Sequence, residues 1–254
     1  MNGLIDLRGK TAVVTGGSRG VGRATAVLLA QAGASVGIGF RSRSAEAQET
    51  VKVLMSLGVH AWAESGDLAD SRDARRLFER ADQEFDGLDI FIGNAGIWPP
   101  EDIPVSDMTD AHWRKTLQAN LDSIFFTTRE AAKRIQDNGR IVLVSSTAGQ
   151  RGEAFHVDYA ASKGAIISMV KGLCVELGPR GITVNCVAPG WIDTEMAEPV
   201  YGEKGREAIV RTIPIGRIPP AEDIAGPILF LCSHLARHIT GEILNVNGGA
   251  VLVG

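Results

Sequence analysis

Tyr159 and Lys163 stand four positions apart in VDYAASKGA (157–165), where the residues around them are alanine, serine and glycine. On a helix this spacing puts a phenol and an ammonium on one face, within reach of each other. A phenol's ordinary pKa is near 10, so it is nearly inert as a base at neutral pH, and an adjacent cation favours its ionised form. A surface pair on an alanine-rich helix would look the same, so the motif needs company. Ser146 lies thirteen residues upstream, at the end of the strand-like run RIVLVS (140–145). A hydroxyl there can donate to an oxygen on which negative charge develops.

A second constellation follows the first apolar run. TGGSRGVGRATAVLLAQAG carries Gly16, Gly20 and Gly22 as G-x-x-x-G-x-G between TAVVT (11–15) and a helical pattern. A tight glycine turn there lets backbone amides approach a pyrophosphate at a helix N-terminus. Dinucleotide folds usually place an acid after the second strand to hold the adenosine ribose. Here GFRSRSAE offers Arg41, Ser42 and Arg43 before the first acid, Glu46, and Arg19 sits inside the glycine loop. Guanidinium groups and a hydroxyl attract a 2′-phosphate that a carboxylate would repel. NADP(H) is therefore the expected cofactor.

These groups need a scaffold that converges them. Candidate strands are 11–15, 35–40, 59–65, 88–93, 140–145, 182–189 and 242–246, alternating with helical patterns near 20–32, 45–57, 71–85, 110–136, 159–178 and 221–233. The strands are continuous Val/Ile runs, the pattern of a parallel sheet covered on both faces. The expected fold class is α/β: a single doubly wound Rossmann domain over residues 1–254, with a seven-stranded parallel sheet and helices on both faces. Irregular stretches at 97–109 and 190–220 are the expected substrate loops.

Composition excludes several other classes. With 254 residues, 44% hydrophobic and 22% charged, the chain has the make-up of a soluble globular protein. A net charge of −4 recommends neither nucleic acid nor an anionic membrane as partner. No apolar run approaches a membrane span, and Asp6 and Arg8 interrupt the region where a signal peptide would be apolar. A cytoplasmic location is expected. Cys174, Cys186 and Cys232 form no CxxC pair and are expected to be buried packing thiols. His234 and His238 have i, i+4 spacing but no accompanying ligand cluster, so no metal is expected.

Together, in order and spacing, the motifs resemble the short-chain dehydrogenase/reductases over essentially the whole chain. TGGSRGVG (15–22) is similar to their cofactor loop, and GNAG (93–96) to their N-N-A-G, with Gly93 replacing the first Asn. NLDSIFF from Asn120, VSS ending at Ser146, YAASK (159–163) and APGWIDT (188–194) match their catalytic and nicotinamide segments. ITGEILNVNGG (239–249) resembles the closing strand of the β-ketoacyl-acyl-carrier-protein reductases.

The resemblance implies roles. Tyr159 would be the general acid that protonates a carbonyl oxygen, and Lys163 would lower the phenol's pKa and hold the nicotinamide ribose. Ser146 would bind the carbonyl oxygen, and Asn120 would shape a helix bend and a proton-relaying water. Gly16, Ser18, Arg19, Gly20, Val21 and Gly22 would cradle the cofactor phosphates, with Arg41, Ser42 and Arg43 at the 2′-phosphate. Asp67 and Leu68 would meet the adenine, Asn94, Ala95 and Gly96 the adenosine ribose side, and Pro189, Gly190, Ile192 and Thr194 the carboxamide. Trp98, His156 and Trp191 would face the substrate.

The leading expectation is an NADP(H)-dependent reductase of a small-molecule ketone or β-keto group, acting as a homotetramer with the 110–136 and 159–178 helices at an interface. The alternatives are 3-oxoacyl-acyl-carrier-protein reduction and a non-catalytic dinucleotide sensor. An epimerase or dehydratase of the extended relatives is disfavoured by chain length and glycine spacing.

Overall fold

The computed structural model describes residues 4–201 and 203–253, with the side chains of 200, 201, 203 and 204 excepted. Seven strands run through it: β1 (Thr11–Thr15), β2 (Ser35–Phe40), β3 (Ala61–Ser65), β4 (Leu88–Gly93), β5 (Ile135–Val144), β6 (Thr183–Pro189) and β7 (Ile243–Val246). All pair in parallel, in the order β3-β2-β1-β4-β5-β6-β7. The connecting helices are α1 (Gly20–Gln31), α2 (Ser44–Ser56), α3 (Ser71–Glu84), α4 (Asp110–Leu117), α5 (Ser123–Arg134), α6 (Thr147–Arg151), α7 (Val157–Leu177), α8 (Glu198–Tyr201), α9 (Glu203–Arg211) and α10 (Ala221–Cys232).

The strand composition explains the layers. Successive side chains of a strand point to opposite faces, and both faces are buried here. Val14, Ile90, Ile92 and Val142 pack with Leu29 of α1 and Ile228 of α10. Their neighbours Val13, Phe91, Ile141 and Leu143 pack on the other side with Phe78 of α3, Ile124 of α5 and Ile166 of α7. Connections leave β1 toward β2 on one side and β4 is its neighbour on the other. Beyond the strand ends, that reversal opens a crevice.

Three elements depart from the sequence pattern. The expected helix 110–136 is interrupted by a π-helical turn, Gln118–Asp122, between α4 and α5. β5 starts five residues earlier than its apolar run, because Ile135 pairs with Leu88 across a register shift while 136–138 stay exposed. The 190–220 stretch holds α8 and α9, with Pro199 at the second position of α8, where its missing N–H removes no helical bond. Cys186 and Cys232 are buried as expected, but Cys174 is only partly covered. No metal-binding cluster and no helix long and apolar enough to cross a membrane occur among the described residues.

Candidate active site

The crevice is a cleft of about 630 Å³ running along the C-terminal ends of the strands. Its floor is built by glycine. Gly16 has φ +67, and a Cβ there would lie 2.9 Å from Nδ2 of Asn94. At Gly22 a Cβ would stand 2.2 Å from the Gly16 carbonyl oxygen, so α1 can approach the loop only with glycine at that position. Gly22 thus packs behind the loop, and the cleft wall is made by Gly16, Ser18, Arg19, Gly20 and Val21. No side chain caps α1, which leaves its first-turn amides for an anionic ligand.

Thr15, which the sequence did not single out, organises the next segment. Its Oγ1 accepts from the amides of Asn94 (2.9 Å) and Ala95 (3.1 Å), and Nδ2 of Asn94 donates to the Thr15 carbonyl at 2.9 Å. Asn94 therefore ties β1 to β4 while also lining the cleft with Ala95 and Gly96. Glycine replaces asparagine at 93 for a steric reason: a Cβ there would sit 2.6 Å from Cδ2 of Leu143.

At one end of the cleft lie Arg19, Arg41, Ser42, Arg43, Asp67 and Leu68. Arg41 is 4.0 Å from Asp67. Arg19 and Arg43 converge on a single carboxylate, that of Glu195, at 2.5 and 3.2 Å. Two guanidinium groups at this end carry charge complementary to a phosphate, and the glycine cradle leaves backbone amides for a pyrophosphate. A phosphorylated dinucleotide fits the residues present.

Ser146, Tyr159 and Lys163 line the same cleft, as do Pro189, Gly190, Ile192 and Thr194, the last of these beside Gly20. Ser146 is the N-cap of α6, its Oγ accepting from the Ala148 amide at 3.1 Å, and its hydroxyl lies near enough to the Tyr159 phenol to favour its ionised form in part. Ser145 is turned away and donates to the Lys163 carbonyl at 2.8 Å. Lys163 is only 4% exposed, and its Nζ donates to the Val144 carbonyl at 3.0 Å. Burial pushes the phenol up to about 12 and the ammonium down to about 8. Burial is the main cause for the phenol, and the Lys163 Nζ, 5.8 Å from the ring centroid, is bound to a carbonyl.

Asn120 is fully buried within the π-helical turn, which bulges to aim it inward. Its Oδ1 accepts from the Ile97 amide at 2.7 Å, and its Nδ2 donates to the Ile97 carbonyl (2.9 Å) and to Ser162 Oγ (3.2 Å). A Cβ at Gly96 would be 3.0 Å from Asn120 Oδ1 and 3.4 Å from Lys163 Nζ, so glycine keeps the space between those two groups open.

Of the three expected substrate-facing residues, Trp98 and Trp191 line the cleft, edge to face at 5.7 Å. His156 does not. It is buried behind Trp98, stacked on it at 4.8 Å, because its place just before α7 turns the ring toward the 97–109 segment. Arg151 and Glu153 complete this wall. Both were missed, although Glu153 is a charged residue lodged between the paired serine and tyrosine.

A glycine-cradled dinucleotide crevice that ends at a serine, a tyrosine and a buried lysine defines a nicotinamide-dependent oxidoreductase. The comparisons agree. The family model described as enoyl-(acyl carrier protein) reductase matches residues 16–251. The chain is 38% identical to the 3-oxoacyl-[acyl-carrier-protein] reductase FabG of Aquifex aeolicus, over 96% of this chain and 98% of that one. A dehydrogenase/reductase from Sinorhizobium meliloti superposes with a TM-score of 0.92 at 35% identity, covering 97% of each chain. A short chain dehydrogenase from Burkholderia cenocepacia in complex with NADP superposes with a TM-score of 0.90 at 38% identity, covering 96% of this chain and 98% of that one. This chain belongs to the short-chain dehydrogenase/reductase family, and within it is similar to the β-ketoacyl-acyl-carrier-protein reductases.

Proposed function

We propose that the protein is an NADP(H)-dependent reductase of a free small-molecule ketone or β-keto compound, working in the cytoplasm. One observation carries this reading: a single cleft joins the Ser146–Tyr159–Lys163 cluster to an arginine-rich end where Arg19 and Arg43 converge on the Glu195 carboxylate. When bound, the cofactor supplies the hydride that reaches the carbonyl carbon. Ser146 and Tyr159 donate hydrogen bonds to the carbonyl oxygen, and the Tyr159 proton moves to it as charge builds, giving the alcohol. Lys163 sits behind the phenol as the replenishing acid, with the gap beside Asn120 and Gly96 as the path for a relay. The cationic nicotinamide of the oxidised cofactor and a reoriented Lys163 would lower the phenol's pKa for the reverse reaction. The test is substrate-dependent loss of NADPH absorbance across a panel of carbonyl compounds, run in parallel with NADH. A dinucleotide sensor would show none.

Similarity to carrier-protein-dependent relatives supports a second reading, 3-oxoacyl-acyl-carrier-protein reduction. The two arginines at the helix ends where an acidic partner would dock, Arg134 and Arg180, are engaged within the chain. Arg134 binds Asp82 at 2.8 Å and Glu130 at 2.7 Å, and Arg180 binds Asp137 at 2.9 Å. Gln136, Asp137 and Val175 occupy the neighbouring surface. A weakened docking patch favours free substrates. A homotetramer formed through the α4–α5 and α7 helices is the assembly that the family resemblance implies.

A further inference from the structure

The loop between α6 and α7 carries a carboxylate that the reduction chemistry does not use. Glu153 lies six positions before Tyr159, partly buried, in the wall of the same cleft. Its loop is fixed in place. Gly152 turns at φ +78, and Phe155 holds φ +64, a left-handed value that a bulky side chain adopts only where its surroundings impose it. The Phe155 carbonyl accepts from the Ile103 amide at 3.1 Å, and the Glu153 carbonyl from the His156 amide at 3.3 Å.

The side chain is equally constrained. The Trp98 indole lies beside the Glu153 carboxylate and helps stabilise its charge, and Trp98 is itself held between the stacked His156 and the perpendicular Trp191. Arg151 lines the same wall and forms no ion pair among the described residues. Burial pushes the Glu153 carboxyl above its usual range, with only partial relief from the indole and the neighbouring cations. It lines the same cleft as Tyr159, where a carbonyl would react, and its charge adds to the burial that raises the phenol's pKa. A carboxylate so placed has lost hydration without gaining a full set of donors.

What would complete it is a donor on the substrate. An alkyl group would dehydrate the carboxylate further. An ammonium would meet Glu153 but also face the Arg151 guanidinium. A hydroxyl donates to the carboxylate and accepts from the guanidinium, so it alone suits two opposite charges that are not bonded to each other. We propose that Glu153 is a specificity-determining residue that selects ketones bearing a hydroxyl group beside the reacting carbonyl. The inference rests on the carbonyl-reductase reading and narrows its substrate class.

Substrate pairs in which a hydroxyl replaces a methyl group test it: hydroxyacetone against butanone, and acetoin against methyl isopropyl ketone. In the unmodified enzyme the hydroxylated member of a pair should lead in kcat/KM by about tenfold or more, as expected for a hydrogen bond to a charged group. Glu153→Gln keeps an acceptor without charge and should reduce that ratio; Glu153→Leu should bring it to about one. Quenching of tryptophan fluorescence by propanediol and by butanol, with NADP present, reads the same preference as binding. A ratio near one in the unmodified enzyme overturns the proposal even if neither variant folds. So does an unchanged ratio in Glu153→Leu, or a preference for aminoacetone over hydroxyacetone. If ketones are reduced without hydroxyl preference, only this inference falls. If no ketone is reduced, the carbonyl-reductase reading falls and takes this one with it.

Discussion

The ammonium of Lys163 sits 5.8 Å from the centroid of the Tyr159 ring, with its hydrogen bond given to the Val144 carbonyl. Near neutral pH the free protein keeps both protons, since the phenol is pushed up to about 12 and the lysine down only to about 8. A site prepared in this way is charged as an acid, the state that carbonyl reduction consumes.

Burying Lys163 has a consequence for stability. Its folded pKa, about 8, lies below the ordinary 10.5. The folded state therefore disfavours the proton, a cost fully felt below pH 8 and relieved as pH rises toward 10.5. Lys163→Met should raise the melting temperature at pH 7, by about 2–4 °C per kcal/mol regained in a protein of this size. The gain should shrink as pH climbs through that window. Thermal unfolding at several pH values checks this, and a pH-independent difference would contradict it.

Cofactor preference follows from the anion held at the far end of the cleft. Charge-assisted contacts from Arg19, Arg41 and Arg43 should make kcat/KM for NADPH at least about tenfold higher than for NADH. Replacing Arg41 and Arg43 by alanine should erode that preference with little change in NADH use. Glu195→Gln should act in the opposite direction, because its carboxylate now occupies Arg19 and Arg43. Fluorescence titration with each cofactor separates these effects from turnover.

Gly22→Ala should fail for a local reason. Its new methyl would fall 2.2 Å from a backbone oxygen of the cofactor loop. NADPH affinity is expected to drop by about tenfold or more as the loop shifts, with a lowered melting temperature as the accompanying readout.

Much of this was legible because the strands are buried on both faces. Val13 and Val14 are both core residues on opposite sides of β1, so continuous apolar runs identified the sheet. The glycine spacing likewise identified a loop that tolerates no side chain. What escaped the sequence had no side-chain signature. The π-helical turn at Asn120 is a shift of backbone hydrogen bonds within a helix-forming pattern. Helix α9 was masked by the prolines around it. His156 was expected in the pocket, but which side of Trp98 it occupies is set by how the 97–109 segment packs. Glu153 and Glu195 stand in no motif, and only the fold brings them to the cleft.

Carrier-protein dependence is tested by comparing one β-ketoacyl thioester free and attached to acyl carrier protein. With Arg134 and Arg180 engaged internally, attachment should raise kcat/KM by less than about tenfold. A larger gain that disappears at high salt would show that electrostatic docking survives.

The central claim, that Tyr159 is the proton donor of an NADPH-dependent carbonyl reduction, is tested most directly by Tyr159→Phe. NADPH binding, followed by fluorescence, should stay nearly intact while turnover of the best ketone falls by about 10²-fold or more. Near-normal turnover in that variant, with cofactor binding unchanged, would contradict the account.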